Sequence, residues 1–328
     1  MTTGALASRE AEGAAAGGPR FGDRVAERVG ARRSQLVVGL DPDPQRLWPR
    51  ALQLVRDRIR VGETAERLAA RAVAAHCRLV LEAVADRCVA VKPQLACFER
   101  LGAGGWSALA EIVQDARQRG LLVIADGKRG DVEVSAGAYA QAYFAGVQTP
   151  FGRLPGLGVD ALTASPLLGR DSLEPLVRAA RAASAGLFVL VRTSNPGAAD
   201  VQERRLATGE TVSEALAALI DELGRPGTGA RGLSDVGAVA GATAPQRLGR
   251  LRELMPHAIL LLPGIGPQGA TGRGLEPAFA PGPAGGLVAA SRAIVQAFES
   301  ASAASRDPGR AAAAQASRLR EMLWERYA

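Results

Sequence analysis

Lysine is nearly missing. The chain has 40 Lys plus Arg in 328 residues, and only Lys92 and Lys128 are lysine. Aromatic residues make up 4%, too few to offer stacking platforms for bases, and no nucleic-acid-binding signature is present. The arginines alternate with acids, so the net charge of +7 and pI of about 10.1 read as a solvated surface rather than a nucleic-acid footprint. Three cysteines, Cys77, Cys88 and Cys97, and two histidines, His76 and His257, have no zinc-binding spacing. They fit a reduced, cytoplasmic chain with no metal site. No apolar run approaches the roughly 18 residues that a membrane span needs. The first twenty residues are rich in Ala and Gly, carry acids and have no apolar centre, so they do not read as a secretory signal.

What is present is hydrophobic content of 47%, built mostly on Ala, Leu and Val. It falls into eight short apolar runs, at 36–40, 88–91, 121–125, 160–164, 187–191, 236–241, 258–262 and 285–290. Each is followed by a helical pattern, and runs of this length bounded by turn residues predict buried strands. Helices are expected over 21–33, 64–87, 106–119, 132–146, 199–223 with a break near Gly209, and 245–254. Another is expected up to 183, capped by Asp171 or Ser172. Eight such units predict a (β/α)8 TIM barrel, with a doubly wound open sheet as the alternative. Polar residues at the C-terminal ends of the strands (Asp41, Lys92, Asp126, Ser165, Asn195, Arg292) favour the barrel, where those ends converge. Residues 1–20 read as a disordered N-terminal extension and 21–298 as the barrel. Residues 299–328 read as a linker with an appended helix over 311–326.

The segment Leu121–Asp131, LLVIADGKRGD, passes abruptly from apolar to charged. Strand alternation points Asp126 and Lys128 the same way. An ion pair at the end of a buried strand is costly to desolvate, which marks it as a candidate for chemistry. Both lysines follow strand-like runs. An ammonium can give up a proton where a guanidinium cannot, so both positions are expected to need that property.

The motif Asp126-Gly-Lys128-Arg-Gly-Asp131 resembles the DxKxxD signature of orotidine 5'-phosphate decarboxylases. VGLDPD (38–43), VKPQLACFE (91–99), TASPLLGRDSLEP (163–175), TSNPGAADVQ (193–202), GATAPQ (241–246), LLPGIGPQG (261–269) and SRAI (291–294) are similar to the bacterial second-type branch. The resemblance runs from about residue 20 to 298. It implies a metal- and cofactor-free decarboxylase that takes orotidine 5'-monophosphate to UMP and CO2. It implies that Lys128 protonates C6, flanked by Asp126, Asp131 and Lys92. It also implies Asp41 and Lys92 on the ribose hydroxyls, Ser165 on the pyrimidine edge, and a homodimer in which Asp131 enters the partner's site.

Gly264–Gly269 matches GxGxxG, but it follows the seventh strand and contains a proline, unlike a dinucleotide fingerprint. Loops after strands seven and eight of a barrel commonly hold phosphate. Gly264, Gly266, Gln268 and Arg292 are therefore the expected phosphate receptors. Two positions depart from the branch, Gly127 and Leu167. Two other functions remain to be weighed. A Mg²⁺-dependent sugar-phosphate enzyme of the same barrel group carries an acid where Lys92 stands. A basic nucleic-acid binder leaves the two lysines unexplained.

Overall fold

The structure, a computed structural model, describes residues 18–264, 273–299 and 307–328. Eight parallel strands close into a barrel: β1 (Leu36–Leu40), β2 (Ala90–Pro93), β3 (Leu122–Arg129), β4 (Ala161–Ala164), β5 (Gly186–Arg192), β6 (Val236–Ala240), β7 (Leu260–Pro263) and β8 (Gly286–Ala290). Closure comes from β1, which pairs with β8 at Leu36–Val288 and with β2 at Val37–Ala90. An open sheet is thereby excluded. All eight expected strands form, within a few residues of their expected bounds.

Two apolar layers follow from the period of two along each strand. Leu36, Val38, Val91, Val123, Ala125, Leu162 and Ala164 point outward against the helices. Val37, Ala90, Leu122, Ile124, Ala161, Phe188, Leu261 and Leu287 fill the lumen. The helix Phe21–Arg32 closes the lower end: Phe21, Val25 and Val29 join the luminal cluster, and Phe21 meets Phe188 edge-on at 6.0 Å between centroids. Gly186 is required beneath it, because a Cβ there would lie 2.3 Å from the Phe21 ring. Arg24 donates to Ser184 O at 2.9 Å and pairs with Asp160. The Asp23 carboxylate accepts from the N–H groups of Ala230 and Arg231 at 3.1 and 2.7 Å.

The helix expected at 311–326 spans Pro308–Tyr327, with Asp307 accepting from Arg310 N–H at 2.7 Å as its cap. It packs on β1 and on the helix Ala65–Val84 and buries Ala312, Ala316, Leu319 and Leu323. Tyr327 stacks on Phe279 at 4.3 Å. This helix fills the place after β8 in the outer ring. Residues 1–17 and 300–306, within the stretches expected to be extension and linker, lie outside the described residues.

Two local expectations need correction. The helix Arg170–Ala182 is capped by Gly169 and not by Asp171 or Ser172; the Ser172 hydroxyl instead donates to Gly169 O at 2.6 Å. The helix expected over 132–146 stops at Ala140 and widens into a π turn, Gln141–Ala145, ahead of a hairpin of Val147–Thr149 and Gly152–Leu154. The helical region expected over 199–223 is interrupted across Gly209 as expected, into Ala198–Val201 and Val212–Gly224, the second begun by a Thr211–Glu214 capping box. The helix Pro49–Arg56 was not foreseen. Among the described residues no helix is long and apolar enough to cross a membrane.

Candidate active site

The inward rows of the strands change character at the upper mouth. Ala90 is followed two residues on by Lys92, Ile124 by Asp126, and Ala161 by Thr163. Strand parity alone therefore aims an ammonium, a carboxylate and a hydroxyl into the lumen. Asp126 is 6% exposed and Lys92 9%, so each needs close partners.

Asp126 has four donors. Lys92 Nζ reaches Oδ2 at 2.6 Å and Gln94 Nε2 reaches the same oxygen at 3.2 Å. Lys128 Nζ reaches Oδ1 at 2.6 Å and Thr163 Oγ1 donates to it at 3.0 Å. Burial works to raise the Asp126 pKa, but the ammoniums of Lys92 and Lys128 outweigh it and hold the carboxyl below its usual range. The group is an anion clamped between two cations. Lys128 differs from Lys92 in access: its side chain is 45% exposed against 11%, so its ammonium faces the mouth.

Alternation does not bring Lys128 to Asp126 in the expected way. The register of β3 against β4 slips between Ala125 and Arg129, and Lys128 has φ +48°. A side chain in that left-handed region costs on the order of 1 kcal/mol or more. The bulge re-aims the residue, and the Lys128 N–H, out of the ladder, donates to Thr163 Oγ1 at 2.8 Å. Arg129 turns away, pairing with Glu99 and donating to the Tyr143 hydroxyl at 3.1 Å. Gly127 sits against Leu95: a Cβ there would lie 2.7 Å from Leu95 Cδ1. A larger residue would have to move that methyl group.

The other expected site residues border this cluster. Asp41 is exposed just beyond β1. The end of β1 pairs with β2 at Gly39–Lys92 and Leu40–Pro93, so Asp41 and Lys92 share that side of the mouth. Ser165 is half-buried beyond β4, its N–H donating to Arg129 O at 2.8 Å. Leu167 is exposed. Gly264 follows β7 at φ +105°, with Thr243 Cγ2 3.2 Å from where a Cβ would stand. Gly266 and Gln268 lie outside the described residues. Arg292 is exposed at the start of the short helix Arg292–Val295 that follows β8. Asp131 is not brought to Asp126 or Lys128; its Oδ1 accepts from Val132 N–H at 2.8 Å.

Sequence reasoning assigned no role to Thr163 or Gln94. The inward row through Ala161 would have found Thr163, and the step of two from Lys92 would have found Gln94. Among the described residues no group of three or more His, Cys, Asp or Glu side chains is arranged to hold a metal. A cavity of about 920 Å³ lies on the outer wall among Arg58, Arg71, Arg78, Glu111 and Arg119. Ion pairs Arg71–Glu63 and Arg78–Glu111 flank it, and it shares no residue with the charged cluster. An accessible ammonium held by a carboxylate that also binds a buried one can deliver a proton at the mouth, from a site whose charges are already in place.

Residues 34–306 match the model of the orotidine 5'-phosphate decarboxylase / HUMPS family. The chain is 44% identical over 262 residues to the orotidine 5'-phosphate decarboxylase of Rhodopirellula baltica, covering 80% of this chain and 83% of that protein. It is 43% identical over 277 residues to that of Deinococcus radiodurans, covering 84% and 89%. A structure of Leishmania donovani OMP decarboxylase superposes with a TM-score of 0.64 at 31% identity, covering 92% of this chain and 99% of that one.

Proposed function

The chain belongs to the orotidine 5'-phosphate decarboxylase / HUMPS family, and from that premise we propose that it converts orotidine 5'-monophosphate to UMP and CO2 in pyrimidine biosynthesis, without metal or cofactor. The observation that carries this reading is the charge chain Lys92–Asp126–Lys128, with 2.6 Å at each link.

Its chemistry suits the step. When the C6–carboxylate bond breaks, its electron pair stays on C6, in the plane of the ring, where the π system cannot absorb it. A cation placed there lowers the barrier, and a proton from Lys128 Nζ closes the new C6–H bond. The exposed Lys128 amine then regains a proton from water. Asp126 lies where the departing carboxylate leaves. It holds Lys128 in place, and its charge opposes the substrate more than the transition state. Asp41 and Lys92 take the ribose hydroxyls, and Ser165 the pyrimidine edge. Gly264, Gly266, Gln268 and Arg292 take the phosphate.

Asp131 acts in the site of a second copy. Within one chain it faces no cation of the cluster, and exposed Val132, Val134, Leu167 and Leu168 lie close to it in sequence or beyond the adjoining strand. That pattern suits a homodimer formed over this face. The enzyme works in the cytoplasm.

A Mg²⁺-dependent sugar-phosphate reaction is the second reading, and Lys92 argues against it, because an ammonium in that place repels a dication. Purified protein mixed with orotidine 5'-monophosphate in EDTA should lower the ultraviolet absorbance of the orotate ring. No change in EDTA but turnover with added Mg²⁺ would favour the second reading.

A further inference from the structure

We infer that Thr163 is a positioning residue that fixes the proton donor, Lys128, through its backbone and through its carboxylate partner at once. The inference rests on the decarboxylase reading and deepens it.

One hydroxyl makes both contacts. Thr163 Oγ1 accepts from the Lys128 backbone N–H at 2.8 Å and donates to Asp126 Oδ1 at 3.0 Å. That same oxygen receives Lys128 Nζ at 2.6 Å. Thr163, Lys128 and Asp126 thus form a closed ring of three contacts. Thr163 is 1% exposed, so it acts on the substrate only through these neighbours. Threonine is β-branched and restricted at χ1, which suits a residue that must hold one hydroxyl between two partners.

The local backbone explains why such a brace is needed. The β3–β4 ladder slips at Ala125–Arg129, and Lys128 is left-handed. Its N–H therefore has no strand partner and depends on the hydroxyl. Without that hydrogen bond the bulge loses the contact that opposes its strain, and Lys128 gains access to the extended conformation that β3 would otherwise continue. Asp126 Oδ1 loses a donor in the same change, while Oδ2 keeps Lys92 and Gln94. The carboxylate is then held at one oxygen more firmly than at the other and is freer to turn away from Lys128.

Thr163→Val keeps the shape and removes the hydroxyl; Thr163→Ser keeps the hydroxyl. With the full-length protein and orotidine 5'-monophosphate, Thr163→Val should lower kcat about ten- to a hundredfold with KM little changed. The acid limb of its pH profile should move up, because Asp126 has lost a donor that favours its charged form. Thr163→Ser should restore most of the turnover. Hydrogen exchange at the Lys128 amide should be faster in Thr163→Val than in wild type or Thr163→Ser. Should Thr163→Val fail to fold by circular dichroism, Thr163→Ala serves in the same comparison. Near-wild-type kcat without the hydroxyl, or Thr163→Ser as slow as Thr163→Val, overturns the inference. Wild-type protein inert toward orotidine 5'-monophosphate overturns the decarboxylase reading itself, so the two failures are distinguishable.

Discussion

Acid should weaken this fold well above the pH at which carboxylates protonate, and His76 is the reason. His76 is 4% exposed. Its Nδ1 accepts the Trp48 N–H at 3.1 Å, and its ring meets Trp48 edge-on at 5.4 Å. Burial pushes its pKa down from 6.5 to about 4. The folded state therefore keeps the ring neutral while the unfolded chain takes up a proton below pH 6.5. Stability is fully present above 6.5 and is lost as pH falls from there to about 4. At about 1.4 kcal/mol per pH unit the whole loss is about 3 kcal/mol, of which about 2 kcal/mol falls between pH 7 and pH 5. Asp126 has its pKa depressed, so its contribution disappears at lower pH and leaves this window clear. Urea denaturation at pH 7, 6 and 5 measures the slope. His76→Asn is the control: its side-chain oxygen can replace Nδ1 as acceptor but does not titrate. The variant should be less stable throughout, having lost ring packing, yet flatter with pH. Parallel pH curves for wild type and His76→Asn would refute the reasoning.

Other outcomes follow from the site and the core. Lys128→Ala should lower kcat by at least about 10³-fold with its circular dichroism unchanged; near-normal turnover would assign the proton to another group. Lys128→Ala and Asp131→Ala should each be inactive alone, but co-refolded they should recover about a quarter of wild-type activity, since half the dimers are mixed and each mixed dimer has one intact site. No recovery would place Asp131 in its own chain's site. Gln35 is fully buried and neither atom of its side-chain amide has a hydrogen-bond partner, so Gln35→Met should raise stability by about 1 kcal/mol or more. A lower thermal midpoint for that variant would indicate a bound water satisfying the amide.

The barrel was legible because its strands are short apolar runs with polar residues at one end, a pattern set by burial on both faces. The two lysines were legible because composition isolated them. The bulge was not. Asp126-Gly-Lys128 reads as plain alternation, and only the slipped β3–β4 register reveals that Lys128 reaches Asp126 from a left-handed backbone. Thr163 escaped notice because a threonine inside DALTA is an ordinary strand former. Its role depends on the neighbouring strand, which no local pattern reports. The hairpin at 147–154 was missed for a related reason: the Ala- and aromatic-bearing run 132–146 suits a helix, and the π turn at Gln141–Ala145 that ends it has no residue signature.

The helix Phe21–Arg32 sets a schedule for a chain emerging from the ribosome. Its anchors, Asp160, Ser184, Phe188, Ala230 and Arg231, are synthesised long after it. Until then its apolar face has no permanent seat, and the contacts that receive it are among the most distant in sequence that the barrel makes. Biogenesis therefore begins with an exposed Phe21, Val25 and Val29 awaiting residues more than a hundred positions downstream, the interval in which a chaperone would have something to hold.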